Sequence, residues 1–347
     1  MVRQLGIEAF LQESGQGPGL MVDVRSPGEY QRGHIPGAVS IPLFDDAERA
    51  IIGTLYKQQG REAAVMKGLE LVGPKMAGFV RQAQRQAPAP RLWVHCWRGG
   101  MRSESMAWLW KTAGFSVATL TGGYKAYRRY VLEQLGQPLQ LVVLGGYTGS
   151  GKTAILHALA GQGEQVLDLE ALAHHKGSAF GALGQAPQPT VEHFENLLHH
   201  ALARLDLARR IWVEDESHSI GRVYIPHPFW QQMRAAPLLL VELPKALRIR
   251  RLVEEYAAFG PELLEQSLLK ISRRLGGLHL QRALDALRAA QYDETASITL
   301  DYYDKAYAHG VSQRSPDRIH PVDAGADDPA QTAARLIHLC NNHVLPL

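Results

Sequence analysis

Only two cysteines, Cys96 and Cys340, occur in 347 residues, which excludes a disulfide-stapled fold and fits a reducing compartment. Long hydrophobic runs are missing too. No stretch reaches the roughly 20 apolar residues that a spanning helix needs, and the Met-Val-Arg-Gln start does not read as a secretory signal. The expected location is therefore cytoplasmic. Charge of one sign is scarce: 37 basic against 34 acidic residues leave a formal charge of +3, a mild tilt towards anionic partners that does not by itself identify nucleic acid. No internal repeat and no low-complexity tract is present, so a solenoid and a disordered chain are both excluded. What remains is a globular composition, 46% hydrophobic and 20% charged, long enough for two domains with a core each.

The first chemical signal surrounds one of those cysteines. Apolar Leu92-Trp93-Val94 reads as a buried strand running into His95-Cys96-Trp97-Arg98-Gly99-Gly100-Met101-Arg102-Ser103. Gly99 and Gly100 let the backbone curl so that successive N–H groups, carried by Trp97, Arg98, Gly99, Gly100 and Met101, converge on an anion. Five residues separate Cys96 from Arg102, whose guanidinium can return to the same anion and hold the sulfur as thiolate. A helix beginning near Ser103 adds its positive end. The plainer alternative is a buried structural cysteine; the flanking glycines and arginine favour Cys96 and Arg102 as catalytic.

A second signal restarts the pattern after a polar connection at 133–138. Leu139 to Leu144 reads as a buried strand, followed by Gly146-Tyr147-Thr148-Gly149-Ser150-Gly151-Lys152-Thr153 and a helical run. Strand, G-x-x-x-x-G-K-T and helix in that order is a P-loop in the context the motif requires. Gly146, Gly149, Ser150 and Gly151 expose amide donors, Lys152 neutralises the outer phosphates, and Thr153 can hold Mg²⁺ arriving with a diphosphate; no tightly bound metal is expected. The motif predicts a polyphosphate without saying which. Further strands are expected at 164–170, 209–217 and 238–244, the first ending in acid at Asp168 and Glu170, the second at Glu214-Asp215-Glu216. Glu214 and Glu216 fall on one side if that strand continues, and with Asp168 they are candidates for acid–base work or Mg²⁺ positioning, against the alternative of loop acids capping a turn. His174-His175-Lys176-Gly177-Ser178 reads as a polar loop near the phosphate site. Arginines 248, 250 and 251 belong either to an RNA-binding face or to an ordinary charged helix face.

The N-terminal motifs resemble the rhodanese domain: Asp-Val-Arg-Ser-Pro-x-Glu-Tyr at 23–30, Gly-His-Ile-Pro-Gly-Ala at 33–38, the Cys96 loop, and Thr121-Gly122-Gly123-Tyr124-x-Ala126-Tyr127. The resemblance implies that Asp23 and Arg25 tie strands and loops together. Sulfurtransferase members carry a shorter loop. The His-Cys-x5-Arg spacing here matches phosphatase-like relatives and implies a phosphoryl-bearing substrate. The expected fold is therefore α/β, a rhodanese-like parallel-sheet domain over 1–135 followed by a P-loop NTPase-like α/β domain over 136–347 with a helical C-terminal part.

That fusion, with Glu-Asp-Glu-Ser-x-x-Ile-Gly-Arg at 214–222 and Tyr-Tyr-Asp at 302–304, resembles the tRNA 2-selenouridine synthase family along essentially the whole chain. The resemblance implies a transferase that replaces sulfur by selenium in 2-thiouridine derivatives at the tRNA wobble position. It implies S-geranylation with geranyl diphosphate first, then exchange with selenophosphate. Cys96 would then either carry selenium or remove phosphate. Partners implied are the thiolated tRNA and the two small co-substrates, with no membrane and a monomeric chain. The competing readings are a small-molecule P-loop kinase fused to a sulfurtransferase and a non-catalytic RNA-binding adaptor; intact Cys96, Arg102, Lys152 and Thr153 weigh against the adaptor.

Overall fold

Short apolar runs ending in glycine or charge form the strands, and the runs between them form helices, so each half of the chain winds a parallel sheet. The computed structural model describes residues 2–325 and 327–342. Its contacts divide the chain into Met1–Gln134 with Glu195–Leu197, and Leu135–Phe194 with Leu198–Leu347.

In the first unit, strands β1 (Arg3–Leu5), β2 (Leu20–Asp23), β3 (Val39–Ser40), β4 (Arg91–His95) and β5 (Ser116–Leu120) pair in the order β1-β5-β4-β2-β3, every pair parallel. Val22, Leu92, Val94 and Val117 pack with Met106 and Trp110 of the helix Met101–Thr112. Ser26 and Glu29 form a capping box that starts the helix Pro27–Arg32. Between β3 and β4 lie three helices, Asp46–Gln59, Arg61–Val72 and Met76–Gln86. Asp45 and Glu48 cap the first of these reciprocally, a sequence signal of the same kind as Ser26 and Glu29.

Asp23 and Arg25 lie fully buried beside each other. The guanidinium donates to Asp23 Oδ2 at 2.9 Å from Nε and 2.6 Å from Nη2, and to the Gly33 carbonyl at 2.6 Å. It also lies 3.7 Å above the Tyr124 ring. Burial alone would raise the Asp23 pKa, but its positive neighbours hold it below the usual carboxylate value. Arg25 is the lasting counter-charge, because burial pushes the neighbouring His95 down to about 4 and leaves it neutral near pH 7.

In the second unit, β6 (Leu141–Gly146), β7 (Gln165–Leu167), β8 (Ile211–Glu214), β11 (Leu238–Glu242) and β12 (Ile319–Asp323) form a parallel sheet in the order β12-β11-β6-β8-β7, while β9 (Ser219–Ile220) and β10 (Val223–Tyr224) make a separate antiparallel hairpin. Val142, Leu144, Trp212 and Val241 pack with Leu156 of the helix Lys152–Gly161 and Leu336 of the helix Pro329–Asn342. Asp328 Oδ1 accepts from the Ala330 and Gln331 amides at 2.9 and 3.0 Å and so caps that last helix. The strand expected over 164–170 stops at Leu167, because Asp168 accepts from the Ala171 amide at 2.7 Å and opens a helix, Leu169–Ala173, in its place. Among the described residues, no helix is long and apolar enough to cross a membrane.

Candidate functional site

Each unit carries its candidate loop at the C-terminal end of a central strand, where parallel sheets leave backbone amides unpaired. In the first unit β4 ends at His95, the loop 96–100 follows, and the helix begins at Met101. Cys96 is 3% exposed; its Sγ lies 3.2 Å from Ser103 Oγ and 3.8 Å from the Gly100 carbonyl. A second loop braces the first. The Tyr124 amide donates to the Cys96 carbonyl at 2.8 Å, and the Lys125 amide donates to that of Trp97 at 2.9 Å. Gly123, at φ +59°, permits the approach, since a Cβ there would stand 2.4 Å from the Cys96 carbonyl oxygen and 2.5 Å from the Gly99 nitrogen. The Thr-Gly-Gly-Tyr motif at 121–124 is thus a support for the cysteine loop. Trp97 tilts against Tyr124 at 5.8 Å between centroids, whereas Arg98 and Met101 face outward.

Arg102 lies within electrostatic reach of Cys96 and is partnered by Glu29. Its guanidinium grips Glu29 with contacts of 2.6 and 3.3 Å, so the cation expected at the sulfur is held by a carboxylate of the helix Pro27–Arg32. A half-buried arginine needs a counter-ion, and Glu29, already fixed by its capping box, supplies one. An anion entering the loop competes with Glu29 for that guanidinium.

In the second unit the residues 146–153 wrap one end of a cavity of about 630 Å³. Gly151, at φ +78°, opens the helix Lys152–Gly161, and a Cβ there would stand 2.2 Å from Arg251 Nη1. Lys152 Nζ donates to the Gly146 carbonyl at 2.8 Å, Thr153 Oγ1 lies 3.3 Å from Glu170 Oε2, and Ser150 Oγ is buried with no partner. Arg248 binds the P-loop from behind: it donates to the Thr148 carbonyl at 3.1 Å and grips Asp304 with two contacts of 2.8 Å. The arginines that the sequence left between an RNA face and a charged helix face therefore include two, Arg248 and Arg251, placed at the phosphate loop.

The three candidate acids separate. Asp168 is the helix cap described above. Glu214 ends β8, is 2% exposed, and accepts from the Glu170 amide at 2.8 Å. Glu216 lines the cavity with Glu170, and the two carboxyls share a hydrogen bond. Burial raises the pKa of Glu170, and lifts those of Glu216 and Glu214 well above the usual value. A neighbouring carboxylate adds to it in each case, Asp168 at Glu170 and at Glu214, and Glu170 at Glu216, while Lys152 opposes it at Glu170 and Glu216. The strand does not continue past Glu214, so Glu214 and Glu216 are not the same-side pair that alternation predicts. Glu170 was missed as an acid of this site because it follows a helix cap that the sequence disguises as strand. Lys176, Gly177 and Ser178 line the cavity, as the polar-loop reading of that stretch expects. No group of three or more His, Cys, Asp or Glu among the described residues could hold a metal ion alone. Thr153 and Glu170 nevertheless present adjacent oxygens of the hard type that Mg²⁺ prefers, if it comes with phosphate ligands of its own.

Residues 139–328 match the model of the tRNA 2-selenouridine synthase AAA domain, and residues 7–130 that of the rhodanese-like domain. The tRNA 2-selenouridine synthase of Nitrosomonas europaea is 34% identical over 88% of this chain and 92% of its own. Those of Bdellovibrio bacteriovorus and Bordetella petrii are each 38% identical, over 85% and 86% of this chain and 89% and 88% of theirs. The chain belongs to the tRNA 2-selenouridine synthase family.

In this member of the family the Glu-Asp-Glu run splits its work, with the middle acid tied into the scaffold. Tyr307 accepts from the Gly146 amide at 2.9 Å and donates to Asp215 Oδ2 at 2.9 Å; Arg314 donates to Asp215 Oδ1 at 2.7 Å. Burial, then the Asp215 charge, pushes the Tyr307 hydroxyl well above its ordinary value, so it stays a neutral donor. Tyr307→Phe removes one hydroxyl and strands both the Gly146 amide and one Asp215 oxygen. The expected cost is about 1–3 kcal/mol, read as a lower urea midpoint for the C-terminal unit. An unchanged midpoint would show that the hydroxyl does not support the loop.

Proposed function

We propose that this chain is a tRNA 2-selenouridine synthase that works in two steps, S-geranylation of 2-thiouridine at the P-loop and selenium exchange at the Cys96 loop. The observation that carries the first assignment is the composition of the C-terminal cavity. Beyond the P-loop its wall includes Phe180, Tyr256, Leu264, Tyr292, Ala296 and Tyr303 alongside the charged Glu170, Glu216 and Arg274, so apolar surface and phosphate-binding groups share one cavity. Geranyl diphosphate has that polarity, and burying a ten-carbon chain among rings and aliphatics is favourable at about 25 cal/mol per Å² of apolar surface.

The thiocarbonyl sulfur attacks C1 of the geranyl group, the C1–O bond breaks, pyrophosphate leaves, and N3 gives up its proton. Lys152 and the loop amides stabilise the charge on the departing pyrophosphate. Thr153 and Glu170 would hold Mg²⁺ arriving with the diphosphate, and the ion would supply further neutralisation.

The S-geranyl group turns a poor leaving group into a thiol. Selenium of selenophosphate adds to C2 and geranylthiol departs, leaving a phosphoryl group on selenium. Cys96 thiolate then attacks phosphorus: the S–P bond forms, the P–Se bond breaks, C2 keeps selenium, and water releases phosphate from the cysteine. No oxidation is needed. The alternative of Cys96 as a selenium carrier would require thiolate to attack selenium and expel phosphite, which makes the phosphatase-like role the better fit to a loop with five residues between Cys and Arg.

The test is mass spectrometry of nucleosides from thiolated tRNA incubated with the protein, selenophosphate and geranyl diphosphate, each omitted in turn. Geranylated nucleoside is expected without selenophosphate, and selenouridine when it is added. Unchanged thiouridine, with nucleotide hydrolysed in the absence of tRNA, would replace this reading by the kinase one.

A further inference from the structure

We propose that residues 217–234 form a platform on which the RNA substrate stacks unpaired bases; this rests on the tRNA reading above. The strip runs Ser-His-Ser-Ile-Gly-Arg-Val-Tyr-Ile-Pro-His-Pro-Phe-Trp-Gln-Gln-Met-Arg and contains no aspartate or glutamate. It begins in the second half of the Glu-Asp-Glu-Ser-x-x-Ile-Gly-Arg motif, for which the chemistry at the P-loop has no use. The β9–β10 hairpin pairs Ile220 with Val223, which puts Arg222 in a two-residue turn, exposed. Ile220, Val223, Ile225 and Phe229 are fully buried and fix the strip to the unit.

On that base the rings gather. His218 lies 5.3 Å from Trp230 and 5.8 Å from Tyr224, centroid to centroid, and His227 lies 6.3 Å from Trp230. The Arg234 guanidinium sits 6.0 Å over the Trp230 ring. Tyr224 is 54% exposed, and His227 at the start of the helix His227–Ala235 is exposed too. Two exposed rings, Tyr224 and His227, on a strip that also carries Arg222 and Arg234 and no carboxylate, are what a single-stranded nucleic acid requires: π-faces for the bases and positive charge for the backbone. The strip also borders the cavity, since Ser217 and Arg234 at its two ends line the wall with the P-loop. Bases flanking the target uridine would be gripped here while the uridine reaches the diphosphate.

Tyr224→Ala isolates the platform, because the ring is exposed and lies outside the P-loop, the acids and the apolar wall of the cavity. The probe is a fluorescent anticodon stem-loop RNA containing 2-thiouridine, compared with a duplex RNA of equal length whose base faces are covered. The substitution is expected to weaken stem-loop binding about tenfold and to leave duplex binding unchanged; Tyr224→Trp is expected to restore it. Equal losses on both RNAs, or no loss on the stem-loop with the thermal unfolding midpoint kept, would overturn the platform and leave the enzymatic reading standing. Wild-type protein that binds neither RNA would overturn both.

Discussion

Lys152→Ala is expected to lower S-geranylation of thiolated tRNA by roughly 100- to 1,000-fold, the range seen when one preorganised charge-stabilising donor is removed. The ammonium at present donates to the Gly146 carbonyl at 2.8 Å, a neutral acceptor that a phosphate oxygen outcompetes once a diphosphate enters. Arg251, lying against Gly151, is a cation that remains beside the loop, and it shares its charge with Asp327. Selenium exchange on tRNA that already carries the S-geranyl group is expected to proceed at the wild-type rate, because no diphosphate takes part in it. Geranylation at the wild-type rate in the variant would remove the P-loop from the prenyl step. Loss of both steps would mean that the two loops depend on each other.

Cys96→Ala is expected to produce the opposite pattern, with S-geranyl-thiouridine accumulating and selenouridine falling by roughly a thousand-fold or more, since no other nucleophile stands in the loop. The Ser103 hydroxyl 3.2 Å from the sulfur offers a hydrogen bond and not a substitute thiolate. Acid quenching of the wild-type reaction followed by intact mass measurement tells the roles apart. Phosphate on Cys96 is the expected adduct; selenium on Cys96 would make it a carrier. Selenouridine formed at the normal rate by the variant would leave the cysteine structural, as its burial would then suggest.

Most of the architecture can be read from residue order. Apolar runs that meet Gly-rich turns mark β4 and β6, and the two anion loops follow them directly, because a motif confined to consecutive residues needs no tertiary contact to be recognised. Asp328-Pro329 likewise announces its helix through local capping. The misses have local causes. Asp168 looks like the end of a strand until its side chain is seen to accept from Ala171. β12 carries Pro321, which argues against a strand in sequence but is tolerated at the sheet edge, where β12 pairs only with β11.

Side-chain pairing across long separations was beyond the reach of sequence. Glu29 takes Arg102 from 73 residues away, Tyr307 takes the Gly146 amide from 161, and Arg248 reaches Thr148 from 100. None of these leaves a periodicity or a spacing, because each is settled by which charges and amides the packed core brings within 3 Å and deprives of water. The sequence by itself determined the two folds, their order, the sulfur and the phosphate loop, all of which depend on neighbours along the chain. Only the tertiary structure decided which acids face the phosphate loop, which arginines grip it, and that rings and aliphatic side chains share its cavity, because burial and competition for hydrogen bonds are properties of the packed molecule.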